Sequence, residues 1–150
     1  LRLYVEMESA RFKDRFTQTI ECEAIIDQKQ TLIPVFFIQP LVENAIKHGL
    51  MNSTKQGMLS INFICKNNDL ICIVEDNGIG RKAASALKPL HDKTSLGISI
   101  IQKRISLINQ SSGTSIRLEY LDLYDELKTP QGTKAIIIFP ETIQKLYQNE

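Results

Sequence analysis

The chain lacks what most specialised classes of protein depend on. Its 150 residues hold three cysteines and two histidines. Cys22, Cys65 and Cys72 have neither a CxxC spacing nor a histidine pattern beside them, so neither a zinc site nor a disulfide framework is indicated, and reduced thiols in a cytoplasmic compartment are expected. The longest apolar run, Leu32 to Ile38, is interrupted by Pro34 and falls far short of the ~20 residues of a membrane helix. Charge of one sign is also missing: 18 Lys and Arg against 17 Asp and Glu leave +1, which removes the composition argument for nucleic acid or an anionic membrane as a partner. With Gly 7 and Pro 5 the chain is not fibrous, no internal repeat or low-complexity tract interrupts it, and no signal peptide is expected. What is present, 43% hydrophobic and 23% charged residues, suits one compact domain with its own core.

The chain opens on Leu1 within an amphipathic pattern, and residues 1–14 are expected to be the end of a linker helix from an upstream region, with the domain proper over 15–150. Phe16 to Ile26 alternates as a half-buried strand. Pro34 to Gly49 has helical spacing through Phe37, Leu41, Ala45 and His48, with Pro40 expected to kink it and Gly49 to end it. Met58 to Lys66, Asn67-Asn68-Asp69 and Leu70 to Glu75 predict a β-hairpin. Arg81 to Ser95 has little periodicity and reads as a loop, after which Leu96 to Asn109 is helical and is broken by Ser111-Ser112-Gly113. Ser115 to Tyr120 and Thr133 to Phe139 complete the strands, and Pro140 ends the second. Hairpins in place of βαβ crossovers imply an α+β fold, a mixed sheet covered on one face by helices and partly open on the other.

Four places could carry chemistry. Asn44, Lys47 and His48 stand at i, i+3 and i+4 on one helix face. The amide oxygen suits Mg²⁺ and the ammonium suits phosphate, although a solvated Glu43–Lys47 pair explains the same stripe. Asp76-Asn77-Gly78-Ile79-Gly80 ends an apolar strand. Its glycines let backbone approach a flat ligand while the carboxylate accepts from an exocyclic amine, and a plain Asx-type turn is the alternative. Ser95-Leu96-Gly97 opens a helix whose N–H groups suit phosphate. Gly132-Thr133 leads into the last strand, where a strand-entry turn is sufficient explanation.

In that order the segments IQPLVENAIKHG (Ile38 to Gly49), VEDNGIG (Val74 to Gly80), SLGISIIQKRI (Ser95 to Ile105) and GTKAIIIFP (Gly132 to Pro140) resemble the ATP-binding catalytic domain of sensor histidine kinases. The wider group is the GHKL ATPases, which includes DNA gyrase B, MutL and the heat-shock chaperone ATPases. LVENAIKHG, and RFKDRF at Arg11 to Phe16, are most similar to the LytS/YehU-like kinases. The resemblance covers nearly the whole chain and implies a Bergerat-type two-layer sandwich holding ATP under a lid, here Arg81 to Thr94. It implies that Asn44 binds Mg²⁺ and that Lys47 and His48 lie by the phosphates. Asp76 would take the adenine amine, Gly78 and Gly80 would shape the pocket, Thr133 would assist Asp76 through a water, and Gly97 would close over the phosphates.

The implied activity is transfer of the γ-phosphoryl group of ATP to a histidine in an upstream dimerisation domain outside this chain. The implied parent is a membrane-anchored homodimer whose cytoplasmic catalytic domain feeds an aspartate on a response regulator. His91 is expected to be a solvated loop residue. Two positions depart from the pattern: Ser95 replaces the first glycine of a usual GxG, and Ile100 replaces an Asn. Where the ATP-hydrolysing relatives place a glutamate four residues before the Asn, this chain has Pro40, which agrees with phosphotransfer to an imidazole that needs no strong base. A stand-alone GHKL ATPase and a degenerate interaction module are the competing readings. Intact mass measured without reductant should match three free thiols; a loss of two hydrogens would reveal a disulfide.

Overall fold

The computed structural model describes residues 1–13, 15–29, 31, 33, 36–87 and 96–143. The element order is α1 (Arg2–Arg11), β1 (Phe16–Cys22), α2 (Ile38–Asn44), β2 (Gly57–Lys66), β3 (Asp69–Asp76), α3 (Gly80–Ala86), α4 (Leu96–Ser112), β4 (Arg117–Tyr124) and β5 (Pro130–Phe139). The strands form one sheet in the order β1-β2-β3-β5-β4. All pairs are antiparallel except β1–β2, which is parallel because α2 crosses between the two strands. The expected mixed sheet is therefore present. The expectation that no βαβ crossover occurs is wrong at this one step: a parallel neighbour can be reached only by a long connection, and α2 is that connection.

Period-two alternation decides which sheet face is covered. Leu70, Cys72, Val74 and Asp76 point to one side of β3 and are at most 4% exposed, and Ala135, Ile137 and Phe139 continue that side on β5. Leu41, Val42 and Ile46 from the α2 region, Ile101 from α4 and Val5 from α1 complete the core, where the Phe37 and Phe139 rings meet edge to face at 5.8 Å. The opposite sheet face carries Ile71, Ile73, Ile136 and Ile138 half-buried, so it is open in part, as expected. The hairpin turns on Asn67 and Asn68, at φ 52° and 66°, with Lys66 opposite Asp69. That is the two-residue connection whose twist matches the strands.

Several boundaries differ from the sequence reading. β1 stops at Cys22. α1 stops at Arg11, and Asp14 lies outside the described residues, as do Pro34, His91 and Ser95. Pro40 does not kink α2. It is the third helical residue, within the first turn, whose N–H groups have no intrahelical acceptor to lose. Gly49 does not end the helix either. The chain passes through a π-helical turn, Ala45–Gly49, and a 3₁₀ turn, Leu50–Asn52. The supposed loop after Gly80 begins as α3, whose Ala83, Ala84 and Ala86 favour helix while giving no large apolar residue to mark a period. α4 runs three residues past Asn109, whose side chain bonds Thr114 and the backbone of Ile116 and so ties the helix to the start of β4. β4 and β5 extend past the predicted strands to Tyr124 and back to Pro130.

Candidate functional site

A cavity of about 220 Å³ lies between the sheet and the helix layer, where β3 and β5 meet α2, α3 and α4. Its floor follows from strand register. Asp76 pairs with Thr133, which pairs with Asp122, and one row further in Val74 pairs with Ala135, which pairs with Tyr120. Directly opposed residues share a face, so both rows project toward the helices. Leu41, Asn44, Ala45 and His48 form the α2 wall, and Gly80, Arg81, Ala84 and Ser85 form the α3 wall.

Asp76 is a carboxylate at 4% exposure, and no lysine or arginine pairs with it among the described residues. The Gly78 N–H donates to its Oδ1 at 2.8 Å. Burial pushes its pKa up to about 6, against the pull of the Gly78 and Thr133 backbone N–H groups. Three glycine backbones make the space. A Cβ on Gly49 would lie 2.6 Å from Asp76 Oδ1, and one on Gly78 would lie 2.3 Å from the Gly49 carbonyl carbon. At Gly132, where φ is +124°, it would lie 1.8 Å from the Asp76 carbonyl oxygen. Asn77 turns the other way: its amide accepts from the Met58 N–H at 2.7 Å and donates to the Gln56 carbonyl, fastening the loop to β2.

The α2 stripe is divided by the structure. Asn44 and His48 line the cavity, whereas Lys47 does not; it pairs with Glu43 on the exposed side. The expected convergence of Asn44, Lys47 and His48 therefore holds for two of the three. The wider π-helical turn sets Lys47 further round from Asn44 than the α spacing of three residues would, which takes it off the cavity side. The Asn44 Nδ2 is buried without a hydrogen-bond partner among the described residues.

Gly80 lines the cavity, while Gly78 acts behind it through Asp76. Gly97 falls in the first turn of α4, beside the lining residue Ile98, and Ile100 is 41% exposed. Arg81 and Tyr120 were not singled out by sequence reasoning. The Arg81 guanidinium lies 5.1 Å from the Tyr120 ring centroid, and its Nε and Nη2 donate to Asp122 at 2.8 and 3.0 Å. This hydrogen bonding holds Asp122 below the usual carboxylate range. The period-two pattern of β4 puts Tyr120 and Asp122 on one face, but only the register with β5 aims that face at the cavity. Such a site, an acceptor on an apolar floor with an amide across from it, can take a flat heterocycle bearing an amine.

Residues 34–143 match the family model described as histidine kinase-, DNA gyrase B-, and HSP90-like ATPase. The chain is similar to the sensor protein LytS of Oceanobacillus iheyensis, with 36% identity over 126 residues, 78% of this chain and 21% of that protein. To the sensor histidine kinase BtsS of Escherichia coli it is 32% identical over 102 residues, 68% of this chain and 17% of that protein. It thus spans about a fifth of the length of these curated relatives. Among solved structures, the histidine kinase ThkA in complex with the response regulator protein TrrA superposes with a TM-score of 0.53 at 22% identity, covering 96% of this chain and 40% of that one.

Two outcomes test the site's physics. Gly132→Ala should cost several kcal/mol or prevent folding, since backbone rather than a movable side chain blocks the Cβ and φ is positive; near-wild-type urea stability would contradict the packing. Because the folded pKa of Asp76 is raised from 3.8 to about 6, its contribution to stability is complete below pH 3.8 and is lost as pH rises through 6. Between pH 4 and pH 8 the wild type should therefore lose about 2 kcal/mol relative to Asp76→Asn. Parallel pH profiles of the two proteins would show that burial does not strain this carboxylate.

Proposed function

This chain belongs to the family of histidine kinase-, DNA gyrase B- and HSP90-like ATPases, and we propose that it is the ATP-binding catalytic domain of a sensor histidine kinase of the LytS-like group. The observation that carries the reading is Asp76, a buried acceptor without a cationic partner among the described residues, on the floor of a cavity cleared by glycines. Its carboxylate would take the exocyclic amine of adenine, with Thr133 beside it in register. Asn44 would offer its amide oxygen to Mg²⁺, a fit supported by its place on the cavity wall and by the hard-donor character of an amide oxygen. Mg²⁺ bound beside the phosphates supplies charge neutralisation and alignment. His48 lies on the same wall as Asn44, and Lys47 would reach the phosphates only by leaving Glu43. Gly97, at the start of α4, would donate backbone N–H groups to phosphate.

The γ-phosphoryl group goes to a histidine in an upstream dimerisation domain of the parent protein. A neutral imidazole is already a nucleophile, so positioning carries the transfer and no strong base is needed. Pro40, in the first turn of α2, offers no carboxylate to activate water. α1 buries Val5 against the body while Leu3 and Met7, one turn apart, are 69% and 64% exposed. A second helix of a dimer would cover that stripe. A response regulator is the downstream partner, a reading the kinase–regulator neighbour supports. No helix among the described residues is long and apolar enough to cross a membrane.

Calorimetric titration of ATP, with and without Mg²⁺, tests the proposal. Binding should be abolished in Asp76→Asn and should lose its magnesium dependence in Asn44→Ala. A flat titration of folded wild-type protein would favour a degenerate docking module, and sustained hydrolysis with no histidine acceptor would favour a stand-alone ATPase.

A further inference from the structure

The turn that carries Lys47 away from the cavity stands at the border between two registers. The Leu50 N–H is shared between the Ala45 carbonyl, its π-helical acceptor, and the Ile46 carbonyl, its α-helical one. The π turn is the rarer state of such a segment, so contacts outside its own ladder must hold it. Gly49 is fixed by the loop after β3: it has no room for a Cβ beside Asp76, and its carbonyl accepts from the Ile79 N–H at 3.4 Å. The side chain of Asn52 supplies a second hold. Its Nδ2 donates to the Lys47 carbonyl at 3.1 Å and to the His48 carbonyl at 3.2 Å. Both partners are acceptors, so only the amide nitrogen can face them.

The consequence falls on Lys47. Relaxed to the α register, the same residues would bring Lys47 round toward the side of Asn44, which lines the cavity, instead of leaving it exposed beside Glu43. Its ammonium would then meet the phosphates of a bound nucleotide. A lysine that gripped ATP and ADP alike would tighten both complexes without favouring the transfer between them, and would slow release of the product.

Resting on the reading of this cavity as a nucleotide site, we propose that Asn52 is a positioning residue: by bridging the Lys47 and His48 carbonyls it holds the π register and keeps Lys47 off the phosphates. Asn52 lies outside the cavity wall and acts only through the backbone of the turn. It is exposed, so its replacement removes the bridge without opening the core.

The test titrates ATP with Mg²⁺, and separately adenosine, into wild type, Asn52→Ala and Asn52→Leu, each alone and combined with Lys47→Met. Neither replacement carries a donor, so both should bind ATP about fivefold more tightly than wild type while adenosine, which has no phosphate, binds all three equally. The gain should vanish when Lys47→Met is added. Unchanged or weaker ATP binding in both variants, with binding still lost in Asp76→Asn, would overturn the role of Asn52 and leave the nucleotide site standing. A gain that survives Lys47→Met, or that adenosine shares, would overturn it too, by showing that the cavity changed as a whole. Loss of the fold in both variants would do the same, since a bridge that only sets register is dispensable for folding. Failure of the wild type to take up ATP would remove the nucleotide reading and this inference with it.

Discussion

A carboxylate kept out of water, with no counter-charge among the described residues, is the constraint around which the rest of this structure is arranged. Asp76 can hold that place only because glycine backbones approach it from separate elements. Gly49 comes from the end of the α2 region, Gly78 from the loop after β3 and Gly132 from the start of β5. A methyl group on any of them would overlap Asp76 itself or the backbone packed against it. Two backbone N–H groups soften the cost of burial without cancelling it, so the acceptor stays poised near pH 6. A donor arriving with a ligand would relieve that tension, which would link the strain of this buried carboxylate to binding.

The sheet turns this local strain into a site of defined shape. Register places Thr133 and Asp122 in the row of Asp76, and Ala135 and Tyr120 in the row of Val74, so the floor is polar at the loop end and apolar further in. Over it the π-helical turn aims Asn44 and His48 inward and leaves Lys47 outside with Glu43. Arg81 bridges α3 and β4 across the mouth. Acceptor, amide and aromatic ring therefore come from three elements that approach one another only in the folded chain.

Much of this was legible from sequence where the signal was strong and local. Alternation in β3, the Asn67-Asn68 turn and the spacing of Leu41, Ala45 and His48 all led to the right element types. The order of VENAIKH, DNGIG and GT led to the family and to Asp76, Asn44 and Thr133. What was missed had a weak or ambiguous local signal. Small alanines hid α3 because helix propensity leaves no hydrophobic period when the side chains are small. Pro40 pointed to a kink because the first helical residue is Ile38, and no local feature of the sequence marks that start.

By itself the sequence determined the identity of the family, the alternating strands, and the residue types able to accept an amine or a hard cation. These follow from short-range periodicity and from the fixed chemistry of each side chain. Tertiary structure alone decided that α2 makes the parallel crossover, that Lys47 faces away, that Gly49 and Gly132 are spacers for Asp76, and that Tyr120 and Arg81 belong to the site at all. The physical reason is register and steric contact: residues 76, 120 and 133 share a floor because hydrogen-bonded strands fix their opposition. No interaction between neighbours in sequence sets that alignment.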